Sequence, residues 1–149
     1  MMASDTAGPP SVTGCTAFRL RKLSRRVSQH YDGHLAAAGL RSTQFSLLSV
    51  LMGDVPPTLT QLADTLEMDR TTLTRNLKPL ATAGWVRTSV GDDGRSRTVH
   101  ITEEGRARWR AGRPLWREAQ RSLHTALGLP QVERLHQALD DALAHLPAH

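Results

Sequence analysis

The chain has little with which to crosslink itself, cross a membrane or carry out catalysis. One of its 149 residues is cysteine, Cys15, so no internal disulfide framework exists and nothing points to an oxidising compartment. No window approaches the roughly twenty apolar residues of a membrane span. The N-terminal MMASDTAGPPSVTG lacks a basic region followed by an apolar run. A soluble, unexported, cytoplasmic protein with no membrane partner is therefore expected. The sequence also holds no nucleophile elbow, no phosphate-cradling glycine loop and no dense group of metal ligands. That argues against an enzyme and leaves no catalytic residue, cofactor or metal to assign.

What the chain does have is positive charge concentrated in one place. Its formal net charge is +5, with a sequence pI near 10.6, a balance that favours polyanionic partners. From Arg70 to Arg113 ten basic residues stand against Asp92, Asp93, Glu103 and Glu104, a local +6, while the remainder of the chain sums to −1. A solubilising surface would spread that charge. Confinement to one segment reads as an electrostatic footprint.

The length suits a single domain with a real core. Residues 1–13 are small and polar with Pro9 and Pro10, and read as a loose arm. From Cys15 to Ala38 the residues Phe18, Leu20, Leu23, Val27, Tyr31 and Leu35 recur mostly at three- and four-residue spacing, the pattern of a long amphipathic helix ended by Gly39. Ser42 is expected to cap a second helix that stops before GDVPP, and Thr60 to cap a third after a short extended piece at 58 and 59. Asp69 caps RTTLTRNLKPLATA, so helix, tight turn and helix follow one another. WVRTSV and RSRTVHIT read as two strands about a turn-rich GDDG tip, with Val86, Val90, Val99 and Ile101 as inward residues. Thr102 caps a long helix to about Leu127, and Pro130 opens a last one with Val132, Leu135, Leu139, Leu143 and Leu146 on one stripe.

The segment 70–83 is a poor helix by propensity, since its threonines lose rotamer freedom and Pro79 removes a bond to the Arg75 carbonyl and should bend the axis. A 100° wheel gives the compensation. Leu73, Leu77 and Leu80 share one face, and Thr71, Arg75, Lys78 and Thr82 the other. Arg can bond guanine edges, Thr can touch a thymine methyl, and Lys suits a phosphate. Thr71 and Thr72 sit at the helix start, where short side chains let backbone N–H groups approach a duplex. In the preceding helix Ala63 is small where two helices must approach closely. Glu67 occupies a turn position that usually suits glycine.

The strand pair forms a wing whose Arg95 and Arg97 can reach a minor groove, with Asp93 expected to hold the Arg95 guanidinium by a charge-assisted bond. The terminal apolar stripes exceed what one small winged domain covers, and burying them between two chains is the simplest solution.

The order of elements, together with MDRTTLTRNLKPL, DDGRSRTVHITEEG and GLRSTQFSLLSVL, resembles the MarR family of winged helix-turn-helix regulators from about Cys15 onward. The resemblance implies a mainly α fold with a small β-wing. Helices within 14–38 and 103–149 would form a dimerisation region around a DNA-binding region at 42–102, together one domain from 14 to 149. It implies a homodimeric repressor on a pseudo-palindromic DNA operator, released by a small aromatic or acidic effector. It carries DNA contact onto Thr71, Thr72, Arg75, Lys78, Asp93 and Arg95, with Gly94 standing where many members have Arg.

Two alternatives stay open. Cys15 lies near, though not on, the reactive cysteine of the organic-hydroperoxide branch, whose assisting tyrosine falls on Arg21 here. Arg19 and Lys22 could lower its pKa, although a buried, inert thiol is the expectation. A winged-helix module that binds protein is the other, but its reading face should then be apolar or acidic. His30 and His34 could grip a metal from one helix face, but exposed histidines are expected. Trp109 and Trp116 could line an effector pocket with an Arg as carboxylate partner, although core packing is the expectation and no ligand residues are assigned.

Overall fold

The computed structural model describes residues 13–148. Apart from Thr13, the arm expected at 1–13 lies outside the described residues. The elements are α1 (Thr16–Leu35), a short 3₁₀ turn (Ala36–Ala38), α2 (Ser42–Leu51), α3 (Leu59–Thr65), α4 (Arg70–Thr82), β1 (Val86–Val90), β2 (Arg97–Ile101), α5 (Glu103–Leu127) and α6 (Leu129–His145). The two strands pair antiparallel, Val86 opposite Ile101 and Val90 opposite Arg97. The chain is mainly helical with a two-stranded wing.

The helix starts follow local chemistry, not always at the residues anticipated. Thr58, not Thr60, caps α3: its hydroxyl accepts from the Gln61 N–H at 3.1 Å while the Gln61 side chain accepts from the Thr58 N–H at 2.9 Å. Two orphan donors are thus satisfied reciprocally, which Thr60 could not do without a partner three residues on. Thr58 is free to begin the helix because the chain before it lies along β2, with the Val99 N–H bonded to the Pro57 carbonyl. Ser42 likewise is not the cap of α2. Its N–H donates at 2.7 Å to the Asp32 carboxylate, so an acid on α1 closes the start of α2. Asp69 and Thr102 do cap α4 and α5, accepting from the N–H groups of Thr72 and Gly105.

The core is built on the inner faces of these elements. Leu35, Leu48, Leu62, Leu73, Leu80 and Val99 are fully buried, and Phe45, Leu47, Leu51, Ala63, Leu77 and Val86 join them. Of the strand residues expected inside, Val86 and Val99 are buried and Ile101 packs against the core, whereas Val90 is 59% exposed. The wing projects beyond the helices at that point, so alternation continues with nothing beneath it to cover the side chain.

One clasp joins the winged unit to α5. The Thr102 hydroxyl donates to the Gly84 carbonyl at 2.6 Å and accepts from the Gly105 N–H at 3.1 Å, while the Thr102 N–H donates to the Trp85 carbonyl at 3.0 Å. Gly105 is buried against that same carbonyl, where a Cβ would collide with backbone. Farther along, Trp109 donates to the Ser49 hydroxyl at 2.8 Å, and the Phe45 ring stacks with both Trp109 and Trp116. Both tryptophans pack against the core.

The terminal helices are less covered. Leu35 is the buried residue of α1 and Val132 that of α6, while Phe18, Leu20, Leu143 and Leu146 are 47–70% exposed. Cys15, expected buried, is exposed, because it precedes α1 where no other element packs. His30 and His34 are half-buried, not exposed: His30 donates to the Ala119 carbonyl at 2.9 Å and His34 to the His30 carbonyl at 3.0 Å. The first bond ties α1 to α5 and the second lies within α1. Among the described residues no group of three or more metal-ligating side chains occurs, and no helix is long and apolar enough to cross a membrane.

Glu67 holds a positive φ of 48°, the one such non-glycine conformation among the described residues. The tight turn demands it, since the Met68 N–H must return to the Ala63 carbonyl at 2.9 Å. A left-handed residue with a Cβ costs roughly 1–2 kcal/mol, partly offset by the smaller entropy it loses relative to glycine. Glu67→Gly should therefore be neutral or stabilising by up to about 1 kcal/mol, and β-branched Glu67→Val destabilising by about 1–2 kcal/mol, as read from urea midpoints.

Candidate nucleic-acid interface

The residues of α4 divide as the helical wheel requires. Leu73, Leu77 and Leu80 anchor it in the core at 0%, 6% and 0% exposure, which leaves Thr71, Arg75 and Lys78 on the solvent side, all exposed. The helix continues through Pro79 to Thr82. At its start the Asp69 carboxylate accepts from both the N–H and the hydroxyl of Thr72, at 2.8 and 2.7 Å. The Thr72 hydroxyl first, and then its backbone N–H, hold the Asp69 carboxyl below its usual pKa. Thr72 thus differs from Thr71: it is half-buried and its hydroxyl proton is committed to the cap, so it offers a duplex its methyl and oxygen lone pairs.

The wing tip is ordered by Asp93, but not in the expected way. Its carboxylate accepts from the N–H groups of Ser96 and Arg95, both at 2.9 Å, and from the Ser96 hydroxyl at 3.0 Å. No ion pair with the Arg95 guanidinium forms; among the described residues the side-chain ion pairs are Arg110 with Glu103 and Arg121 with Glu118. The turn favours this outcome because backbone donors two and three residues ahead are already within reach, while an exposed ion pair would cost side-chain entropy for little gain. The Ser96 N–H, then the Arg95 N–H, lower the Asp93 pKa. A depressed folded pKa means that this ordering is complete above the ordinary carboxylate range and is lost as pH falls through the lowered value. At neutral pH the tip is held, and the Arg95 side chain is left free.

Strand register separates the two wing arginines. Val86, Thr88 and Val90 share a sheet face with their partners Ile101, Val99 and Arg97, the face from which Val86 and Val99 enter the core. Arg97 therefore stands on the side of α4, while Arg95 belongs to the tip. Between wing and helix runs a groove of about 390 Å³ lined by Arg70, Thr74 and Lys78 from α4 and Thr88 and Arg97 from the strands, floored by Leu77 and Val86. None of its three cations is in an ion pair among the described residues. A second depression on the outer side is lined by Arg70, Thr71, Thr74, Arg75 and Lys78.

The anticipated residues thus form two groups: Thr71, Arg75 and Lys78 along the helix, and Asp93 and Arg95 at the tip, with Arg97 joining the helix across the groove. Arg70 and Thr74 join them from outside the set that sequence reasoning selects. Their four-residue spacing with Lys78 is legible in the sequence, but which flank of the helix meets the wing is not.

Comparison with known proteins places this geometry. Residues 38–96 match the family model described as MarR family. A solved transcriptional regulator of M. tuberculosis, MosR in complex with DNA, is 35% identical, with 89% of this chain and 100% of that chain covered and a TM-score of 0.76. A probable transcriptional regulator from Pseudomonas aeruginosa is 28% identical over 85% of this chain and 96% of its own, with a TM-score of 0.76. The HTH-type transcriptional regulator YwoH of Bacillus subtilis is 29% identical over 91 residues, which span 61% of this chain and 66% of that relative. In its arrangement of helices and wing, and in its sequence, the chain belongs to the MarR family of transcriptional regulators.

Proposed function

We propose that the chain is a cytoplasmic homodimer that binds a pseudo-palindromic duplex operator and represses transcription until a small effector releases it. The observation that carries the DNA reading is the set of exposed cations that line two depressions sharing Arg70 and Lys78, namely Arg70, Arg75, Lys78 and Arg97, none of them in an ion pair among the described residues, with Arg95 exposed at the tip. A protein-binding module would present an apolar or acidic face there. MosR, at 35% identity, is itself seen with DNA, which supports the same use.

In this reading α4 enters the major groove with Thr71 and Thr72 at its leading end, Arg75 reading a base edge and Lys78 meeting a phosphate. The wing carries Arg95 to the neighbouring minor groove. Asp93 serves it by ordering the tip and does not itself touch phosphate. Arg97 and Arg70 line the groove along which one sugar–phosphate strand would pass. For dimerisation, the support is the exposed apolar side chains of α1 and α6, Phe18, Leu20, Leu139, Leu143 and Leu146 among them. Left open to water they would be costly, and a second copy offers the matching face.

Binding to a duplex operator should weaken steeply with salt, log K falling linearly with log salt by roughly 0.9 per phosphate neutralised. An affinity indifferent to salt, measured by fluorescence anisotropy, would remove the DNA reading. Arg75→Ala should cost about 1–3 kcal/mol of binding and relax discrimination at one base position, whereas Lys78→Ala should weaken all duplexes alike and shallow the salt slope by about one. Asp93→Ala should lower affinity by several-fold, up to about tenfold, through a loosened tip, with the protein still folded and its melting temperature lowered slightly. Equal affinity for wild type and the Asp93 variant would show that the wing does not engage DNA.

A further inference from the structure

Little holds α6 to the rest of the chain. Val132 is its one buried residue among those described, and it joins α5 through Gly128, whose φ of 84° is one that residues with a side chain rarely adopt. One turn beyond Val132, His136 meets His124 of α5, the two rings edge to face with centroids 6.3 Å apart and planes at 69°. His124 is half-buried and His136 exposed. Among the described histidines, His30, His34, His100 and His145 each use a ring nitrogen in a hydrogen bond, whereas His124 and His136 make none. Two imidazoles with uncommitted nitrogens thus stand together where the last helix leaves the helix before it.

Imidazole nitrogen suits zinc, copper and nickel, whereas magnesium and calcium require oxygen ligands. Two imidazoles on one tetrahedral zinc, with each Zn–N bond about 2.0–2.1 Å, have ring centroids about 5 Å apart, so His124 and His136 need to close by about 1 Å. His136 can do so, being exposed and unbonded. The neighbouring charges favour a cation. Glu133 and Asp140, three residues before and four after His136, share its flank of α6, and neither is in an ion pair among the described residues. As they stand they do not gather with the imidazoles into a group of three ligands. An ion would therefore be held by two nitrogens, with water or one of these carboxylates in the remaining positions. Of the nearby cations, Arg121, one turn before His124, is paired with Glu118, and Arg134, two residues from His136, falls on another face of α6.

We propose that His124 and His136 form a site for one divalent transition-metal ion, zinc, nickel or copper(II), and that the ion pins α6 against α5. The consequence lies in what α6 carries. Leu139, Leu143 and Leu146 are 37–70% exposed, and the direction in which that apolar stripe points is set by how α6 leaves α5. Two ligands on neighbouring helices fix that direction better than one buried valine and a glycine joint. The site is independent of the DNA reading, since neither histidine lines the depressions along α4 and the wing.

The test is titration calorimetry of the untagged full chain, stripped with a chelator, against zinc chloride, with magnesium chloride as the control. Zinc should bind at one ion per chain and magnesium should not. His124→Gln and His136→Gln should each weaken zinc by at least about tenfold, because losing a ligand costs no less than losing a group that merely supports one, itself worth roughly 10–100-fold. His145→Gln, farther along α6, should leave zinc affinity unchanged. Copper(II) supplies a second readout: its electron paramagnetic resonance should show two nitrogen ligands in the wild type and one in either variant. Backbone hydrogen exchange along α6 should slow severalfold with zinc in the wild type and not in His136→Gln. Melting temperatures without added metal verify that the variants fold. Zinc affinity indifferent to both substitutions, or a wild-type copper spectrum with a single nitrogen, overturns the site. Zinc held through both histidines with exchange along α6 unchanged overturns the pinning.

Discussion

Everything that faces outward in the winged unit depends on how its last strand is fastened to the helix behind it. Thr102 does this with one side chain and one N–H, bonding at once to Gly84 at the end of α4, Trp85 at the foot of β1 and Gly105 in the first turn of α5. The clasp works because Gly105 carries no Cβ, so α5 can lie directly against the Trp85 carbonyl. With it in place the end of α4, the root of the wing and the start of α5 hold one relative position. The groove containing Arg70, Lys78 and Arg97 exists only because that position is held.

The same economy explains why α4 tolerates a sequence unsuited to helices. Its threonines and Pro79 lower intrinsic propensity, but Leu73, Leu77 and Leu80 are buried on the inner face and Asp69 closes the start. Tertiary burial of three leucines, each worth about 1.5–3 kcal/mol, outweighs a few tenths of propensity per threonine. The outer face is thereby left open to residues chosen for what they touch. Among the described non-glycine residues only Glu67 adopts a left-handed conformation, where the turn between α3 and α4 requires it.

How far the site could be read in advance varies with the range of the interaction. The caps at Asp69 and Thr102 and the wheel of α4 were legible, because each is decided by residues within one or two turns. Thr58 caps α3 in place of Thr60, and Gln61 three residues on is the signal that marks it. The role of Asp32 in closing α2 carried no such signal, since its partner is ten residues away across a turn. Asp93 reads in sequence as a partner for the Arg95 guanidinium, but its bonds go to backbone N–H groups and order the tip instead. Backbone geometry in a turn cannot be inferred from charge alone.

By itself the sequence determined the order of elements, the apolar and polar faces of each helix, the concentration of charge between Arg70 and Arg113, and the family likeness that follows from them. These are properties of short stretches, governed by helical and strand periods and by neighbouring side chains. Tertiary structure alone decided that Arg97 faces α4 while Arg95 does not, that Val90 is left in solvent, and that His124 and His136 meet between α5 and α6. Each of those depends on where one element comes to rest against another, which is settled by packing across the whole chain.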